Sequence, residues 1–115
     1  MSLNREYETS KAGPTTIIAF TATALRIRLA LASATGFQKR SFAIRVTTAA
    51  RILQGNKDVS ATATTGMYLT TSLRWRIDVD SAEDAFLSIL RDTANGNIEI
   101  TRISDIISTD LPVAV

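Results

Sequence analysis

Residues 25–32 read Leu25-Arg26-Ile27-Arg28-Leu29-Ala30-Leu31-Ala32, an unbroken alternation of large apolar side chains with arginine and alanine. Successive side chains of an extended chain point to opposite faces, so the leucines and Ile27 share one face and Arg26, Arg28 and the alanines share the other. This is a half-buried strand. The same period returns in Phe42-Ala43-Ile44-Arg45-Val46-Thr47, with Ala43, Arg45 and Thr47 on the polar side. It returns again over residues 68–79, where Leu69, Leu73, Trp75, Ile77 and Val79 oppose Tyr68, Thr70, Ser72, Arg74, Arg76 and Asp78. The first two segments read as an antiparallel hairpin across the polar stretch containing Gly36, Lys39 and Arg40.

Around these lie weaker signals. Ile17-Ile18-Ala19-Phe20, after Gly13-Pro14, is a further short strand. Gly55-Asn56 marks a turn, and the Thr/Ala-rich residues 59–65 suit a short strand with a flexible loop. Leu73-Arg-Trp-Arg-Ile resembles Leu25-Arg-Ile-Arg-Leu, as a duplication or simply as two similar strands.

After Asp80 the period changes. Ser81 suits a helix N-cap, with Glu83 and Asp84 in the first turn. Ala82, Ala85, Phe86, Ile89 and Leu90 recur at helical spacing, and Thr93-Ala-Asn95-Gly96-Asn97 ends that stripe. Beyond it Ile98 and Ile100 alternate like a strand, but Ile100, Ile103, Ile106 and Ile107 fit a helix over more residues, which favours a second helix. Strands followed by helices predict an α+β fold: an antiparallel β-sheet of about five to six strands followed by two C-terminal helices. The expected layout is one domain over 1–115, with an N-terminal segment at 1–14, the sheet at 15–80, a helical region at 81–109 and a tail at 110–115.

A chain of 115 residues, 45% hydrophobic and 21% charged, suits one folded domain. It has no cysteine and no histidine, which removes disulfides, thiolate chemistry and the commonest general base and metal ligand. No apolar run approaches the ~18 residues of a membrane span, and the start is too polar for a signal peptide. The net charge of +2 conceals a split. Eight bases and no acid lie from Lys11 to Lys57, whereas nine acids and four bases follow from Asp58 onward. Arginines on three alternating segments would form a polar sheet face, either solvated or open to a polyanion. Phosphates would meet guanidinium groups there, and a base could stack on Tyr68.

These residues resemble the coat proteins of the single-stranded RNA bacteriophages (leviviruses). The resemblance lies in Lys39-Arg40-Ser41-Phe42-Ala43-Ile44-Arg45-Val46-Thr47, similar to a basic turn and its following strand. It continues in residues 68–79, in Ser81-Ala-Glu-Asp-Ala-Phe-Leu-Ser-Ile-Leu, and in a second helix and Pro112-containing tail. It implies an intertwined homodimer whose helices cross onto the partner, an icosahedral shell, and an inner sheet face binding single-stranded RNA. Such coats also bind an RNA hairpin that represses replicase translation. The RNA-binding residues implied are Arg26, Arg28, Arg45, Thr47, Tyr68 and Thr70, to which the alternation of residues 68–79 adds Arg74 and Arg76. Ala43 stands where a threonine often lines an adenine pocket, and it cannot make that hydrogen bond. The location implied is the virion, assembled in the bacterial host cytoplasm.

Two other readings compete. One is a capsid decoration or cement protein of another phage, and the other a small cellular RNA-binding β module, which would carry more aromatic residues. Catalysis is the weakest reading. Asp78, Asp80, Glu83 and Asp84 cluster in sequence, but strand-end and helix-cap roles account for them. No cofactor, metal, membrane or small-molecule substrate is expected.

Overall fold

The computed structural model describes residues 13–30, 40–103 and 111–115. The strands are β1 (Thr15–Phe20), β2 (Leu25–Arg28), β3 (Arg40–Val46), β4 (Ala50–Gly55), β5 (Met67–Leu69), β6 (Trp75–Val79), β7 (Phe86–Arg91), β8 (Gly96–Arg102) and β9 (Val113–Ala114). A 3-10 turn, Ala82–Asp84, precedes β7. A four-stranded sheet has the order β1-β8-β3-β6, and a five-stranded sheet the order β5-β4-β7-β2-β9.

Every strand pairing is antiparallel. The first strand pairs with the eighth, the second with the seventh, the third with the sixth and the fourth with the fifth. Four nested pairs wrapped around one core make a jelly roll, with β9 added at one edge.

Period-two sorting builds the core. Phe42, Ile44 and Val46 of β3 lie opposite Ile77 of β6 and Ile98 and Ile100 of β8, all turned inward. Ile27, Ala50, Ile52, Leu69, Leu87 and Ile89 face them from the other sheet. Each fully buried Leu, Ile or Phe contributes about 1.5–3 kcal/mol of transfer free energy.

The expected α+β fold with two C-terminal helices is overturned, because Phe86–Arg91 and Gly96–Arg102, within the two expected helical segments, are strands. Ser81 does cap, its hydroxyl accepting from the Glu83 N–H while the Asp84 carboxylate accepts from the Ser81 N–H. That box supports only the 3-10 turn. β7 then misleads the eye because it is the central strand of its sheet and is covered on both sides. Leu87 and Ile89 face the core, while Phe86, Ser88 and Leu90 lie on the outer face, where the residue 56–66 loop crosses. A strand covered twice loses its polar alternation, and its apolar residues then mimic a helical stripe. In β8 the alternation was legible: Ile98 and Ile100 point in, and Asn97, Glu99 and Thr101 point out. Ile106 and Ile107, which tipped the balance to a helix, lie outside the described residues. With these helices goes the crossing-helix dimer they implied.

Three smaller expectations change. Residues 68–79 are two strands in different sheets, broken at Thr70-Thr71-Ser72, where the Leu73 N–H donates to the Thr70 carbonyl at 3.2 Å. β2 and β3 are no hairpin, since they belong to opposite sheets. Residues 59–65 form no strand; hydroxyls of Thr62 and Thr65 organise a loop instead. The Gly55-Asn56 turn is present, with Asn56 Oδ1 accepting from the Asp58 N–H at 2.9 Å.

Candidate functional site

Cross-strand register decides which of the eight sequence-selected residues can act together. Paired residues in an antiparallel sheet point to the same side. On the outer face of the four-stranded sheet, Arg45 lies opposite Glu99, and Arg76 opposite Ala43. Arg74 joins Arg45, Ala43, Glu99 and Thr101 around a shallow depression of about 120 Å³. Thr47 lies at the end of this face, its hydroxyl accepting from the Asn97 N–H at 2.8 Å. Four of the eight residues therefore share one surface.

The others do not reach it. Arg26 and Arg28 project from the outer face of the five-stranded sheet, on the far side of the core. Arg26 Nε donates to the Val59 carbonyl at 2.9 Å, which pins the residue 56–66 loop. Tyr68 is on that far face too. It pairs with Arg51, whose guanidinium sits 5.3 Å from the ring centroid, and its hydroxyl donates to Asp92 at 3.3 Å. Thr70 lies in the β5–β6 connection, where its hydroxyl meets Ser72 at 3.2 Å. The single arginine face of the sequence reading is thus two faces, back to back. The parity within each strand was right, but the assignment of strands to one sheet was not.

On the four-stranded face the arginines are interleaved with acids. Arg45 Nε is 3.5 Å from Glu99 and Arg76 Nε is 3.2 Å from Asp78, all at exposed or half-exposed positions. Ser41 donates to Asp78 at 2.6 Å and accepts from Arg76 at 3.3 Å. This is a mixed, internally paired surface and not a field of one sign. Of the acids weighed as a catalytic cluster, Asp78 is held by Ser41 and Arg76, and Asp84 accepts from the N–H groups of Asp80 and Ser81 at 3.0 Å.

A different feature stands out at the side where edge strands β5 and β6 meet. There the two sheets part into an apolar cleft of about 430 Å³, lined by Ile44 and Ile77 from one sheet and Ile52, Met67, Leu69 and Leu87 from the other. Trp75 closes the outer end at 38% exposure, with Met67 at 48%; Leu73, two residues before β6, is 41% exposed. Gln54 spans the other end, its amide donating to the Asp78 carbonyl at 2.9 Å and the Asp84 carbonyl at 2.8 Å. Sequence reasoning placed Leu73 and Trp75 on a buried face and missed this mouth. The break at Thr70-Thr71-Ser72 was the available signal, because residues just after a turn at a sheet edge are only partly covered.

The fold and this site define a small jelly-roll module with an apolar mouth. No family model, curated protein or solved structure matches the chain.

Proposed function

We propose that the chain is a structural assembly protein, of the capsid decoration or cement class, that docks on a protein partner through the β5–β6 mouth. The observation that carries this reading is the pair of exposed side chains Met67 and Trp75 lining an apolar cleft on the side of edge strands β5 and β6. An apolar segment of a partner suits such a place, because its side chains would fill the slot. Jelly rolls are also a recurrent architecture of capsid domains, an analogy of fold that supports the reading without carrying it.

RNA packaging is the second reading, supported by Arg45, Arg74 and Arg76 on one outer face. Glu99 and Asp78 among them halve its appeal, since each neutralises an arginine that a phosphate would need.

One experiment separates the two. The chain is co-expressed with the particle-forming proteins of its own genome and sedimented on a density gradient. The wild type and an Arg45→Ala/Arg74→Ala double variant should travel with the particle, and Met67→Lys and Trp75→Ser should stay at the top. Wild-type chain left free refutes docking. Loss of binding only in the arginine variant favours the RNA reading.

A further inference from the structure

The two sheets present four edge strands, β1 and β6 in one and β5 and β9 in the other. Edges offer unpaired N–H and C=O groups to other chains, and folded proteins guard them with shortness, charge or cover. Three of the four are guarded in this way. β5 has three residues and β9 two. β6 carries Arg76 and Asp78, and Gln54 occupies its Asp78 carbonyl.

Among the described residues β1 is the exception. It is six residues long, Thr15-Thr16-Ile17-Ile18-Ala19-Phe20, without a charge, and pairs among the described residues only with β8. Ile17 projects from its outer face at 62% exposure, the highest among the large exposed hydrophobic residues described.

We infer that β1 is a self-association edge, and that a second copy of this chain pairs with it antiparallel to join two four-stranded sheets into one of eight. The strand is self-complementary about a twofold axis through Ile17, perpendicular to the sheet. Matching faces requires paired residues of equal parity, so Ile17 meets Ile17 of the second copy and Thr15 meets Ala19 on the outer side. Thr16 meets Ile18 on the inner side. No like charges face one another, and the two exposed isoleucines cover each other. An isologous contact of this kind closes as a dimer and does not propagate. A six-residue strand is only ~20 Å long, so the association is reversible. The inference is independent of the mouth and of the function proposed above.

Sedimentation equilibrium and cross-linking test it together. The mean mass should rise from the 12.5 kDa of one chain towards twice that value with concentration. Ile17→Lys, which sets two ammonium groups against each other, should hold it at the single-chain value. Because the chain has no cysteine, an introduced thiol reports register cleanly. Ile17→Cys places two thiols directly opposite, where Cβ atoms are about 5 Å apart, and should form covalent dimer on mild oxidation. Ala19→Cys places the thiols four residues out of register and should cross-link at least about tenfold less. The inference is overturned by a single-chain mass at every concentration up to about 1 mM, by dimer undiminished in Ile17→Lys, or by cross-linking as strong at position 19. It also fails if Met67→Lys dissolves the dimer and Ile17→Lys does not, since the mouth would then join the copies.

Discussion

Replacing Ser88 by alanine sets the strand and helix readings of residues 86–91 against each other by sign. In β7 the Ser88 hydroxyl is 1% exposed and accepts the Ala61 N–H at 2.8 Å, fastening the residue 56–66 loop to the sheet. Ala61 is itself buried, so alanine at position 88 strands a backbone donor away from water. An unsatisfied buried group of this kind costs about 1–3 kcal/mol. For a chain of this size each kcal/mol moves the melting temperature by about 4 °C, which gives a fall of roughly 4–12 °C. Had residues 81–90 been a helix with Ser88 on its solvent side, the same change would raise helix propensity by about 0.5 kcal/mol and the midpoint by about 2 °C. Thermal melting followed by circular dichroism reads the sign, and amide hydrogen exchange at Ala61 reads the mechanism. An unchanged or raised midpoint with unaltered Ala61 exchange refutes the loop attachment.

Ile100→Ala, in the fully buried centre of β8, should cost about 2–5 kcal/mol in a urea titration. A loss below ~1 kcal/mol would contradict its place between the sheets. Gly66 has φ +107°, and a Cβ there would lie 3.0 Å from the Ile52 carbonyl oxygen. Gly66→Ala should therefore destabilise by about 1–3 kcal/mol, measured the same way.

Much of the sheet was legible because half-buried strands write their own signature. Residues 25–28 and 42–46 place their apolar residues inward as their alternation demands. The Ser81 cap was legible too, being a short-range arrangement of Ser81, Glu83 and Asp84. What failed was non-local. Whether β2 and β3 share a sheet depends on which strands lie between them, and β8, the partner of β3, lies more than fifty residues further on. The polar faces of Arg26 and Arg45 look alike in sequence and end on opposite sides of the molecule. β7 failed for another reason: the loop covering its outer face removed the polar residues by which a strand is recognised.

The nesting of strands has a consequence for synthesis. Thr15 and Thr101 face each other with hydroxyls 2.7 Å apart although 86 residues separate them. β8 is also the strand between β1 and β3, so neither half of that sheet is complete before it. At the ~5–20 residues per second of translation, β1 waits roughly 4–17 s for its mate. Throughout that interval Thr-Thr-Ile-Ile-Ala-Phe is an uncharged strand bare on both sides, on every nascent chain of a polysome. Encounters among these neighbours compete with correct closure, so slower initiation, which spaces the nascent chains, favours soluble product.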